Sequence, residues 1–326
     1  MRFLARRIGF YAVAVLVAVT INFFIPRLMP GNPVEILISR FPGTLTPKAT
    51  AALDLQFGIH THQSLVGQYF SYLGTLLHGN LGQSITYYPS SVASVIASSL
   101  PWTLVLIGVS TVIAFVLGTL VGILVAWRRG GWLDWLLPAT TFFSAVPYFW
   151  LALIAITLFS LNLHLLPVSG GYSSSTTVGF NGPFLASALE HALLPALTIV
   201  VSSVAGWILG MRNMMITTMA EDYVLTAQAK GLSDRRVVLA YAARNAILPS
   251  VSNFSLALGF VVTGSIVLEI VFSYPGIGYV LFNAVTNEDY PLMQGIFLVI
   301  ALAVLLANFV ADLVYFALDP RTRQGG

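Results

Sequence analysis

Six stretches of the chain are apolar and free of charge over roughly the length that a bilayer core demands of a helix, about 20 residues. They run from Ile8 to Ile25, Trp102 to Trp127, Trp135 to Leu163, Leu193 to Met211, Leu248 to Leu268 and Pro291 to Ala311, the last continuing past Asp312 to Leu318. The pattern predicts an all-α integral membrane protein with six transmembrane helices. The third run is long enough to tilt or kink and carries Pro138 and Pro147. The first follows Arg2, Arg6 and Arg7, as a signal peptide would, but ends in Phe23-Phe24-Ile25-Pro26-Arg27 instead of the small residues of a cleavage site. It is read as an uncleaved helix.

Shorter patterns fill the connections. Pro30-Gly31-Asn32-Pro33 and Pro42-Gly43 are turn formers, and Thr46-Pro47-Lys48 has the form of a helix start. Val66 to Leu77 has apolar residues at helical spacing, and Val92, Val95, Ile96 and Leu100 lead helically into the second run. Val168 to Pro183, rich in Gly, Ser and Thr, reads as an irregular loop, and Tyr274-Pro275-Gly276-Ile277-Gly278 as a turn or re-entrant break. The chain thus divides into a first membrane helix, residues 1–27, a partly helical extracytoplasmic loop, 28–91, a five-helix membrane domain, 92–318, with a cytoplasmic loop at 212–247, and a cytoplasmic tail, 319–326.

Composition agrees. Hydrophobic residues make up 57% of the 326 and charged residues 8%, against about 25% charged in a soluble domain. Mean hydropathy is +0.86. This excludes a disordered chain and leaves too little charge for a water-facing surface. With no Cys there is no disulfide framework, thiolate metal site or Cys nucleophile. The net charge of +3 is read as topological, not as a nucleic-acid footprint. If the N-terminus lies in the cytoplasm, twelve of the fifteen Lys and Arg fall on the inner side, and only Arg27, Arg40 and Lys48 outside. That asymmetry predicts cytoplasmic N- and C-termini.

The inner segment between the fourth and fifth runs carries most information. Glu221 and Asp222 favour a helix start, Lys230 and Gly231 a helix end, and Ser233 or Asp234 can cap a second helix. The expected form is helix, Gly-centred turn, helix. Ala227 and Ala229 would let a partner approach the first helix closely, and Leu232 would stand out as an apolar knob.

Catalytic motifs are missing. The only lysines, Lys48 and Lys230, are not in a P-loop, and no HExxH or GxSxG occurs. His60 and His62 lack the companions of a zinc site and are read as surface residues. No metal or cofactor is expected on this chain. Ser144, Ser202, Asn253 and Thr263 are polar residues within the apolar runs and candidates for a substrate path. Glu190, Glu269 and Asp312 lie near run ends and are read as interfacial, since a midplane carboxylate is costly.

Asp222-Tyr223-Val224, then Thr226-Ala227-Gln228-Ala229-Lys230-Gly231-Leu232-Ser233, Arg244-Asn245-Ala246 and Leu248-Pro249 resemble the cytoplasmic signature of binding-protein-dependent ABC importer permeases. The match is to the dipeptide/oligopeptide/nickel branch. Leu225-Thr226-Ala227 replaces the general Glu-Ala-Ala, and Leu-Pro follows later than in the general pattern, both as in that branch. Further pieces agree in order: Arg27-Leu28-Met29-Pro30-Gly31-Asn32-Pro33 (Asn32 where the branch more often has Asp), Gly79-Asn80-Leu81-Gly82-Gln83-Ser84, Leu194-Pro195-Ala196-Leu197-Thr198, Glu269 to Gly278, and Leu318-Asp319-Pro320-Arg321. The set resembles the B-type oligopeptide permease subunit.

The resemblance implies a type I importer fold. It also implies a non-catalytic subunit that forms a pore with a second permease. Two cytoplasmic ATPases bind the ATP and Mg and drive it, and an extracytoplasmic binding protein delivers peptide. Glu221, Asp222, Tyr223, Thr226, Ala227, Ala229, Lys230, Gly231, Leu232 and Ser233 would form the ATPase-coupling loop. Nickel or another small solute is an alternative cargo within the family. Outside it, an ion- or proton-coupled secondary transporter would need internal repeats and paired buried carboxylates that the sequence does not show, and an intramembrane protease would need motifs it lacks.

Overall fold

The computed structural model describes residues 2–28, 64–128, 130–131, 135–259, 261 and 266–318. Among them there is no strand, only an antiparallel bridge between Gln83 and Ser91. The helices are α1 (Arg2–Leu28), α2 (Leu65–Leu77), α3 (Val92–Trp127), α4 (Leu136–Ala145), α5 (Tyr148–Ala155, extended by a π-helical Ile156–Asn162), α6 (Gly182–Met219), α7 (Asp222–Ala229), α8 (Arg244–Gly259), α9 (Ile266–Val271), α10 (Ile277–Thr286) and α11 (Tyr290–Leu318). A single turn, Asp234–Arg236, and a π-helical Val237–Ala243 precede α8. Parts of α1, α3, α6 and α11 are long and apolar enough to cross a membrane.

The third apolar run is not a single helix. Pro147 forces the residue before it out of the helical region; Val146 is extended, and the run splits into α4 and α5. The fifth run is helical to Gly259 and again from Ile266. A further helix, α10, which the sequence pattern did not signal, follows directly after the expected turn. The candidate helix start at Thr46 and the His60–His62 pair lie outside the described residues.

The chain forms two compact units. Unit one comprises residues 1–103, 262–266 and 275–326. In it α1 and α11 run antiparallel. Near one end the Asn22 side-chain amide donates to the Gln294 carbonyl (2.9 Å), and Gln294 Nε2 donates back to the Asn22 carbonyl (3.1 Å). Near the other, Arg7 is ion-paired to Asp312 (2.7 Å) and the Tyr11 hydroxyl donates to the same carboxylate (2.7 Å). Asp312 is thus a paired group instead of a lone interfacial acid.

Unit one also holds an apolar cluster of Val92, Val95, Ile96, Ile277, Val280, Leu281, Ala284, Leu292, Met293 and Ile296. Beside it lies Asp289, fully buried. Its carboxylate accepts from Ser84 Oγ (2.5 Å), the Thr86 amide (2.8 Å) and the Leu292 amide (3.1 Å), so it caps α11 and fastens the Gly82–Tyr87 turn at once. The Ile277 amide at the start of α10 donates to the buried Thr103 hydroxyl (2.8 Å).

Unit two comprises residues 104–261 and 267–274. Phe115 on α3 stacks on Phe254 of α8 at 4.2 Å, with Trp207 of α6 edge-on to both. Glycine permits the approach of α3 to α6. A β-carbon at Gly122 would stand 2.8 Å from the Ile208 carbonyl oxygen and 2.8 Å from Met211 Cβ. Glu190 is exposed, whereas Glu269 is fully buried. The tight turn after α9 returns the Tyr274 amide to the Glu269 carbonyl (2.8 Å). Burial, reinforced by the charge of Glu269, pushes the Tyr274 phenol well above its ordinary range.

Candidate functional site

The hairpin that begins at Glu221 belongs to unit two. Glu221 is the extended N-cap residue of α7, and Asp222 places a negative charge in the first turn, where the helix dipole favours it. At the other end Lys230 is the C-cap and Gly231 takes φ +71°. The Gly231 amide donates to the Gln228 carbonyl (2.9 Å) and the Leu232 amide to the Ala227 carbonyl (3.4 Å). These two bonds and a left-handed residue are the Schellman ending of a helix, and glycine is the residue that takes that conformation without steric penalty. Ser233 then stands as N-cap of the next turn, although its side chain makes no capping bond.

Two residues of α7 face inward. Val224 and Ala227 are 0% and 3% exposed. They join Ile123 and Ala126 of α3, Met211 and Met215 of α6, Val237, Val238, Ala242 and Ala243 of the π-helical run, and Ala246 of α8 in one cluster. This corrects two expectations. Ala227 is small because it is packed within its own chain, so it offers no surface to a partner. Leu232 is no free knob either: it is partly buried against the cluster, the apolar contact that accompanies a Schellman ending.

The outward face consists of Asp222, Leu225, Thr226 and Ala229, spaced i, i+3, i+4 and i+7, all exposed. Leu225, at 49% exposure, is the apolar side chain that sequence reasoning passed over. Its signal was available, since it shares a helix face with Ala229 and lies off the Val224–Ala227 face. Thr226 is quiet in hydrogen bonding, its hydroxyl donating to the Asp222 carbonyl one turn back (2.8 Å). Tyr223 is exposed, and its hydroxyl accepts from Asn245 Nδ2 (2.9 Å), which also reaches the Tyr241 carbonyl (3.2 Å). Asn245 therefore links α7, the π-helical run and α8. Lys230, Arg235 and Arg236 are exposed beside the turn, so the hairpin tip is basic and the start of α7 acidic.

α7 thus has a seated inner face, a solvent-facing outer face whose apolar residue is Leu225, and a continuous helical path from the turn into α8. The substrate-path candidates lie on separate elements. Ser202 is partly buried and its hydroxyl donates to the Ile199 carbonyl of its own helix (2.9 Å). Asn253 is exposed on α8, Ser144 is the penultimate residue of α4, and Thr263 lies outside the described residues. Among the described residues no group of three or more His, Cys, Asp or Glu could hold a metal ion.

The family model for the inner membrane component of binding-protein-dependent transport systems matches residues 118–324. The chain is 35% identical to the di/tripeptide transport system permease protein of Pseudomonas aeruginosa, over 99% of this chain and 98% of that one. It is 32% identical to the oligopeptide transport system permease protein of Bacillus subtilis, over 95% and 96%. It is also 32% identical to the dipeptide transport system permease protein of Escherichia coli K12, over 99% of each.

Proposed function

The chain belongs to the family of binding-protein-dependent transport system inner membrane components, and from that premise we propose that it is the permease subunit of an ATP-driven importer of dipeptides or oligopeptides. Family membership and the long apolar helices make it a multi-pass protein of the cytoplasmic membrane and a transport component, and a role without catalysis of its own is consistent with the family. The further reading is that six segments cross the bilayer with both termini inside. A second permease completes the pore, an extracytoplasmic protein delivers peptide, and two ATPases bind ATP and Mg on the cytoplasmic side. The names of the relatives support the cargo, and the excess of Lys and Arg in the inner segments supports the orientation.

The observation that carries the coupling role is the two-sidedness of α7. Val224 and Ala227 seat it on α3, α6 and the run into α8, while Leu225, Thr226 and Ala229 face away from the chain. An ATPase cleft that receives this outer face would grip a rigid handle. Closure of the ATPases on ATP would carry α7 and α8 together and bias the pore toward its outward-open state. ATP can shift that equilibrium only as far as it binds the two states differently, and α7 is where the difference would be transmitted.

Reconstitution with the second permease, the ATPases and the binding protein tests this. Leu225→Asp and Gly231→Pro are expected to abolish hydrolysis stimulated by the binding protein while the permease still inserts. Full stimulation in both variants would overturn the coupling role of α7.

A further inference from the structure

The second helix, α2, is thirteen residues long and carries no charge. Indeed no Asp, Glu, Lys or Arg occurs between Asp54 and Arg128, although the segment before α3 was expected to form part of a water-facing loop. Three stripes run along α2. Tyr69, Tyr72 and Leu76 are partly buried. Val66, Phe70, Leu73 and Leu77 form an apolar stripe at i, i+4, i+7 and i+11, and Val66, Phe70 and Leu77 are exposed, Leu77 to 87%. Ser64, which caps the helix through the Gly67 amide (3.2 Å), Gln68, Ser71 and Thr75 make a polar stripe. At 3.6 residues per turn the apolar and polar stripes are roughly opposite, and the tyrosine stripe lies about 90° from each.

The tyrosine stripe meets α1. Tyr69 Oη and Thr20 Oγ1 are hydrogen-bonded at 2.8 Å, and Asn22 Nδ2 donates to the Tyr72 hydroxyl (3.3 Å). The Phe23 ring packs against both tyrosines, at 5.1 and 5.6 Å. These contacts all fall on Thr20–Phe23, a single level of α1 inside its apolar run. On α1 itself Val13, Leu16, Val17, Ile21 and Phe24 are exposed, so the apolar stripe of α2 continues an apolar surface already turned outward.

We propose that α2 is an interfacial helix that lies in the membrane surface beside the far end of α1 and binds the acyl chains of phospholipids through Val66, Phe70, Leu73 and Leu77. A flat amphipathic helix needs an apolar face below, a polar face above and any protein contact on its flank. That is the arrangement of the three stripes. A water-soluble partner docking on the apolar stripe would find no charge along the helix to orient it. The inference rests on the membrane placement of α1 proposed above.

The absence of cysteine makes the test direct. Single-cysteine variants of the full chain, Val66→Cys, Phe70→Cys and Leu77→Cys on one stripe, Ser71→Cys and Thr75→Cys on the other, and Leu16→Cys on α1, are spin-labelled and reconstituted in phosphatidylethanolamine–phosphatidylglycerol vesicles. Collision rates with oxygen and with a water-soluble nickel chelate are then compared. The oxygen-to-nickel ratio is expected to be severalfold higher at positions 66, 70 and 77 than at 71 and 75, and high at 16. Equal ratios on the two stripes with a high value at 16 overturn the inference alone. Low collision with both reagents at 66, 70 and 77 means that protein covers the stripe and also overturns it. A water-exposed label at 16 removes the membrane placement of α1 itself.

Discussion

Around α7 the buried side chains are alanine, valine, methionine and isoleucine, whereas around the start of α11 an apolar cluster is joined by a buried carboxylate with three donors. The first contact surface is made of small, non-directional contacts. Its energy is spread over many weak contacts, none of which fixes a direction. The second is directional. A carboxylate that has given up water is satisfied only while Ser84, Thr86 and Leu292 hold their places. The difference is one of direction: the Asp289 surface holds a turn still, whereas no single contact fixes the α7 surface.

The comparison breaks most sharply at Asp289. Asp289→Ala strands three donors, two buried and one partly buried, and is expected to cost about 3–5 kcal/mol, seen as loss of folded protein after detergent extraction and a much lower unfolding midpoint. A variant with unchanged thermal stability would remove the distinction between the two surfaces.

Next come the two alanines of α7. Ala227→Leu overfills the cluster and should cost about 1–3 kcal/mol. Ala229→Leu, on the outer face, should stay within about 0.5 kcal/mol of the parent yet lose ATPase stimulation. Equal thermal stability of the two would mean that α7 is not seated as described. Gly231→Ala puts a β-carbon on a left-handed residue at roughly 1–2 kcal/mol, measured as a lower midpoint with the ATPases still able to co-purify.

The smallest effect is expected at Asn245. Its bonds to Tyr223 and the Tyr241 carbonyl are exposed, so Asn245→Ala should cost only about 0.5–1 kcal/mol. If they stiffen the path from α7 to α8, peptide moved per ATP falls while subunit co-purification is unchanged. Tyr223→Phe, which removes the acceptor, should reproduce part of that fall.

Much of this organisation was legible in the chain. The six apolar runs all contain helix, and Lys230-Gly231 marked the end of α7 because few residues besides glycine take a positive φ. What the sequence could not resolve was which side of α7 is inside. In an eight-residue helix Ala227 and Ala229 look alike until Met211, Met215 and Val238 are brought up to one of them, and those contacts come from elsewhere in the chain. The break in the third run hid for another reason: uniform hydrophobicity carries no period, so only its two prolines hinted at it. Nothing in the sequence singles out Asp289, since its partners lie about 200 residues earlier. The amphipathic spacing of α2 was visible, but not its flank on α1.

The antiparallel clasp of α1 and α11 has a consequence for biogenesis. Asn22 and Gln294 are 272 residues apart, so at about 5–20 residues per second the first helix waits roughly 15–55 s for its mate to leave the ribosome. Through that interval Arg7 lacks Asp312, and the Asn22 amide lacks the carbonyl it will hold. A nascent product cut short before α11 never closes this clasp.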